Sequence, residues 1–251
     1  MEADVTVAVV LAVSAASFLI GLAKGGLPGF GPIVTVIVAL VVPATVAIGI
    51  LLPILMVGDM VALWALRGHV DRSIVAALIP GSVIGIGLAS FVLSSLSANG
   101  LEIGIVVIVL AFVAYRTAVL TGRAPTLGAD SVLAGPKAGA TAGLAAGVTS
   151  TIAHAGGPPI AMYLLARQVS PVTYAASSAA FFWATNWLKV PGYALAGLLD
   201  IGLITKLAPT ALLIVPGVFC GRWAVHRLDP RPFEIFVLSG LVIGAVLLVL
   251  T

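Results

Sequence analysis

Apolar residues run along this chain in long unbroken stretches, punctuated by short clusters of charge, proline and glycine. Such runs predict helices that are apolar all round rather than amphipathic ones. At about 1.5 Å per residue, crossing a hydrocarbon core of about 30 Å takes about 20 such residues. Between the breaks lie ten stretches: Val5–Ala23, Ile33–Val42, Ala44–Leu66, Ser73–Ser95, Leu101–Leu120, Pro136–Ala153, Pro158–Ala166, Val172–Val190, Ile201–Gly221 and Phe233–Thr251. The second and seventh are too short to span, and six of the others are comfortable spans. The chain therefore predicts an all-α polytopic membrane protein.

The two halves look alike at an offset of about 130 residues, within the drift that loop insertions allow. Gly31-Pro32-Ile33 matches Pro158-Pro159-Ile160, Pro43 matches Pro171, Asp59 falls opposite Asn186, and Pro80 opposite Pro209. Leu101-Glu102 pairs with Phe233-Glu234. This divides the chain into a first repeat (1–120), a cytoplasmic linker (121–135) and a second repeat (136–251), forming one transmembrane domain. Each repeat holds five helical elements, an odd number, so the second enters the membrane upside down, as in inverted-repeat carriers. Each opens with a broken, re-entrant helix pair, joined by KGGLPGFGP in the first half and by the AHAGGPP region in the second. Irregular backbone at membrane depth persists only where protein or a wet cavity satisfies it.

Composition narrows the class. Apolar residues make up 61% of 251 and charged residues 8%, against about 25% charged in a soluble domain. A soluble enzyme could not cover its surface with so few charges, and a net charge of +3 spread along the chain makes no nucleic-acid footprint. Cys220 is the single cysteine, which excludes a disulfide framework and cysteine-based metal sites. No cofactor or metal motif is present: there is no HExxH and no GxxxxGK[ST].

Basic residues set the orientation. Arg67, Arg72, Arg116, Arg123, Lys137, Arg167, Arg222, Arg227 and Arg231 all fall in alternate loops or at their edges. Placing these on the cytoplasmic side puts both termini outside and makes Leu96–Gly100 and Pro191–Asp200 external loops. Lys189 and Lys206 are then expected near the outer surface. The opening MEAD has no basic residue before the apolar run, so the first stretch reads as retained rather than as a cleaved signal.

The broken loops are the candidate site. Gly25, Gly26, Gly29 and Gly31 let backbone N–H groups approach a ligand, and helices beginning at Pro32 and Pro159 aim their positive ends into the same region. Gly156 and Gly157 do the same in the second loop. The competing account is that these residues only break and pack helices. Lys24 is a cation at a helix break, costly near the bilayer centre unless it meets a partner or a pathway, or snorkels to the surface. Thr149, Ser150, Thr151 and His154 offer hydroxyls and an imidazole to an oxyanion, and Asn186 an amide. Asp59 has three readings: counter-ion to Lys24, proton carrier, or helix–helix hydrogen bonder. Ser150 with His154 also leaves open an intramembrane hydrolase, and the loops leave open an anion channel.

At GLAKGGLPGFGP and GLAAGVTSTIAHAGGPP the sequence resembles the TauE/SafE family of bacterial membrane permeases, the sulfite exporters, over nearly its whole length. The resemblance implies a non-enzymatic transporter in the bacterial inner membrane that moves sulfite or small organosulfonates. It also implies that Lys24 to Pro32 and Thr149 to Pro159 line the route. The expected partners are a small anion, the lipid bilayer and, in a homodimer, a second copy of the chain.

Overall fold

The computed structural model describes residues 5–25, 30–93, 95, 97–123, 135–225 and 227, with 235, 238, 239, 242, 243 and 245–247 in the last stretch. Gly26, Gly29, most of the 121–135 linker, His226 and most of Phe233–Thr251 lie outside the described residues. All described secondary structure is helical: α1 (Val7–Lys24), α2 (Phe30–Ala39), α3 (Ala44–Leu66), α4 (Arg72–Leu93), α5 (Ala98–Leu120), α6 (Pro136–Ala153), α7 (Gly157–Ala166), α8 (Pro171–Leu195), α9 (Ile201–Leu207) and α10 (Ile214–Val225). Among these residues, five helical segments are long and apolar enough to cross a membrane: Val7–Lys24, Ala44–His69, Arg72–Leu93, Asn99–Leu120 and Ile201–Ala224. This is an all-α polytopic membrane protein.

Local chemistry fixes the helix ends. Thr6, Ser97, Ser170 and Asp200 cap α1, α5, α8 and α9 by accepting a backbone N–H from the first turn. Asp71 does the same for α4, accepting from Ser73 and Ile74. Its carboxyl is held below the usual carboxylate range, chiefly by the Ser73 hydroxyl. α6 ends where His154 adopts φ 51°, a left-handed turn, and α7 opens three residues later at Gly157, with Pro158 and Pro159 in its first turn.

Several helix ends shift by a few residues from the sequence reading, and two changes matter for the packing. α8 continues through Pro191 to Leu195 instead of stopping at Val190, because neighbouring helices can accommodate a proline in a membrane helix. The Ile201–Gly221 stretch is interrupted by a 3₁₀ segment at Ala208–Leu213, with Pro209 in its first turn.

Helix packing is reciprocal. The first helix of the chain, α1, lies against α10, while α6 lies against α4, the most extensive helix pair. Both contacts are glycine-to-backbone. A Cβ on Gly21 would strike the Ile214 carbonyl, and one on Gly217 the Phe18 carbonyl. On the other side, Gly81 faces the Ala140 carbonyl and Gly143 the Leu78 carbonyl. Each helix carries glycines four apart (21/25, 217/221, 81/85, 143/147), the small-xxx-small spacing that lets membrane helices touch. Two apolar clusters result. One joins α1, α2, α3 and α5; the other gathers Ile74, Leu78, Ala146, Ile160, Tyr163 and Phe181 from α4, α6, α7 and α8. α3, from the first cluster, packs against α8, which contributes to both. Large apolar side chains such as Trp64, Leu195 and Phe219 point outward, as suits a chain solvated by lipid tails.

Candidate functional site

Where α3 meets α8, polar side chains from four helices connect through an otherwise apolar interior. Lys24, at the last turn of α1, forms an ion pair with Oδ1 of Asp59 on α3. The second oxygen, Oδ2, accepts from Asn186 Nδ2 on α8 at 2.9 Å. Asn186 Oδ1 in turn accepts from Lys189 Nζ at 2.8 Å. Lys189 also donates to Ser150 Oγ at 2.7 Å and to the Ser150 carbonyl at 3.1 Å, both on α6. Asp59 and Lys189 are fully buried and Asn186 and Ser150 nearly so. Lys24 retains some exposure, and its Nζ stands 5.4 Å from the centre of the Phe182 ring.

The chain builds this cluster from simple spacings. Asn186 and Lys189 are three apart on α8 and so share a face. Gly58, next to Asp59, leaves room for α1: a Cβ there would lie 2.9 Å from Ile20 Cγ2 and 3.8 Å from Lys24 Cε. Gly156 makes similar room, since its Cβ would fall 2.9 Å from Ser150 Cβ and 3.0 Å from the Phe182 ring.

The start of α2 also meets the end of α6. A Cβ on Gly31, in the first turn of α2, would sit 2.8 Å from the His154 carbonyl. Thr35, one turn on, donates to the Ala153 carbonyl at 2.8 Å. The His154 ring reaches across to α3, with Nε2 3.0 Å from the Ile48 carbonyl. A carbonyl only accepts, so Nε2 carries the proton in this contact. Nδ1 is buried and makes no hydrogen bond with any described residue. Tyr193 closes this end by donating to the Thr151 carbonyl at 2.6 Å.

The expected site residues are therefore partly gathered. Lys24, Asp59, Asn186 and Ser150 share one network, while Gly31, His154 and Gly156 flank it. Gly25 is instead packed into the α1–α10 contact, and Gly157 opens α7 with open space around it. Thr149 and Thr151 donate their hydroxyl protons to the Ala145 and Gly147 carbonyls of their own helix, which leaves those protons unavailable to a ligand. Ser150 and His154 bond to different partners, so the serine–histidine pair of the hydrolase reading is not formed. The residue that sequence reasoning missed is Lys189. It was expected near the outer surface and given no role, and it is completely buried within the protein, against Ser150 of α6 and Asn186. Its spacing of three from Asn186 was the available signal. Among the described residues no cluster of His, Cys, Asp or Glu could hold a metal ion.

Comparison with known proteins gives one match. The model of the family described as sulfite exporter TauE/SafE covers residues 13–248, nearly the whole chain. No curated protein and no solved structure matches.

Proposed function

Since the chain belongs to the TauE/SafE family, whose members are membrane transporters and not enzymes, we propose that it carries a small sulfur-containing anion, sulfite or an organosulfonate, through the bacterial inner membrane. The cargo binds beside the Lys24–Asp59–Asn186–Lys189–Ser150 network, between the two broken loops. The observation that carries this reading is a fully buried lysine, Lys189, and a partly buried one, Lys24, around a single buried carboxylate. Buried cations are expensive in a membrane interior and mark ion pathways. The backbone at Gly31 and the His154–Gly157 turn lines the same region, in keeping with broken helices that handle substrate in secondary carriers.

The reciprocal contacts α1–α10 and α4–α6 support two inverted halves, each contributing its first helix to the fourth of the other. Rocking about these glycine-lined contacts would expose the network to one side and then the other. Both termini face the periplasm in this arrangement. Export needs no coupling ion, because an inside-negative potential favours anion exit by about 2.3 kcal/mol per charge per 100 mV. The test is a flux screen in proteoliposomes with sulfite, thiosulfate, sulfoacetate and taurine. Transport of at least one, lost in Lys189→Gln, is the expected result; movement of none of the four would overturn the reading.

A further inference from the structure

We propose that Lys189 is the residue that holds the cargo, and that its charge selects anions bearing a single negative charge. This rests on the preceding reading of the site as an anion path. The argument is one of charge and hydrogen-bond accounting. Lys24 and Asp59 form an ion pair and together are neutral. The remaining Asp59 oxygen is met by the neutral amide of Asn186. Lys189 is given three oxygens, Asn186 Oδ1, Ser150 Oγ and the Ser150 carbonyl, and none of them carries a charge. These satisfy the three protons of an ammonium but leave its charge in place.

Among the described residues, α3, α4, α6 and α8 supply no other counter-charge to Lys189. α3 carries no charged residue besides Asp59, α4 none after Arg72, and α6 none after Lys137. The network is therefore left with one uncompensated positive charge in a low-dielectric interior, a state that an anion of charge −1 completes. A dianion would leave the same imbalance with the opposite sign.

Ser150 is placed to share the load. Its Oγ accepts from Lys189, so its own proton remains to donate, and the cationic partner makes that proton a stronger donor. Thr149 and Thr151 on either side have spent theirs on backbone carbonyls. Of the three hydroxyls in the run, Ser150 is the one that can turn to an anion's oxygen. The cargo takes over from Asn186 or Ser150 as the acceptor for Lys189, while Lys24 stays with Asp59.

The experiment is equilibrium binding of labelled methanesulfonate and sulfate, tetrahedral anions differing by one charge, to the purified full-length protein in detergent. Size-exclusion profiles serve as the folding control. Wild type is expected to bind methanesulfonate at least tenfold more tightly than sulfate, and Lys189→Gln to lose at least tenfold for methanesulfonate. Lys24→Gln strands Asp59 and should also lose binding, but adding Asp59→Asn to it should recover at least tenfold. Adding Asp59→Asn to Lys189→Gln should recover nothing, although the formal charge is the same. Equal affinity for the two anions overturns the charge selectivity, and recovery in the Lys189→Gln background instead assigns the cargo to Lys24. If Lys189→Gln does not yield monodisperse protein, the wild-type comparison and the Lys24→Gln/Asp59→Asn rescue decide the matter alone. Absence of both anions from wild type, with none of the sulfur anions of the flux screen transported, would reject the transport reading itself.

Discussion

Asp59→Asn should tighten anion binding, a result opposite to that of most substitutions in a binding site. The change removes the only carboxylate of the network while keeping its shape, and Asn186 already shows that an amide fits the neighbouring position. Hydrogen bonds of 2.9 and 2.8 Å link Asp59 to Lys189 through that amide. With the width of one amide between them, the carboxylate lies no more than about 8 Å from the ammonium. An anion beside Lys189 would stand about 10 Å from it, where like charges repel by about 1.7 kcal/mol at an effective dielectric of 20. Removing that repulsion corresponds to an affinity gain of about tenfold. Two further consequences follow from the same charge. The network gains a second uncompensated cation, so the preference should move toward dianions such as sulfate. The thermal midpoint should fall, because Lys24 loses its counter-ion, although its residual 17% exposure limits the cost. The assay is binding of labelled methanesulfonate at low ionic strength, with wild type and variant compared at one pH. Unchanged or weakened affinity in a monodisperse variant would refute the electrostatic reasoning.

Three other outcomes can be checked. Gly143→Leu should destabilise by 1–3 kcal/mol or more, since its side chain would be driven into the Leu78 carbonyl, whereas Gly87→Ala, with open space at that position, should be neutral or stabilising by up to about 1 kcal/mol; thermal midpoints in detergent separate the two. Asp71→Ala should cost about 1 kcal/mol at neutral pH through loss of the α4 cap. Because the folded carboxyl titrates below its unfolded value, the cap's contribution is present above about pH 4 and fades as pH falls through the lowered value, so the midpoint difference should shrink there. Reporter fusions at both termini should give periplasmic signals; a cytoplasmic terminus would break the inverted arrangement of the halves.

Much of this architecture was legible because a bilayer imposes a length on apolar runs. Ala44–Leu66 and Pro136–Ala153 have the same bounds in sequence and structure, since proline or arginine marks three of these ends and the His154-Ala155-Gly156-Gly157 break the fourth. Lys24 meets the counter-ion suggested for it, and Asn186, singled out for its place opposite Asp59 in the repeat, is hydrogen-bonded to that carboxylate. What was hidden depended on tertiary packing. Lys189, expected near the outer surface, is completely buried within the protein, against Ser150 of α6 and Asn186. The roles of the hydroxyls were equally invisible in the sequence. Thr149, Ser150 and Thr151 are equivalent as letters, yet only the rotamers and helix geometry decide that two bond backward to carbonyls and one faces Lys189. The glycine contacts were read as ligand approach as much as packing. For Gly25 the backbone of α10 takes the space.

Counterflow in proteoliposomes tests the central claim most directly. Vesicles loaded with unlabelled sulfite are diluted into a trace of labelled sulfite, and label accumulation is followed for wild type and Lys189→Gln. A carrier that binds sulfur anions at the buried lysine network gives saturable, transient accumulation of label above equilibrium in wild type and none in Lys189→Gln. Unsaturable entry without overshoot, or an overshoot unchanged by Lys189→Gln, would contradict the account.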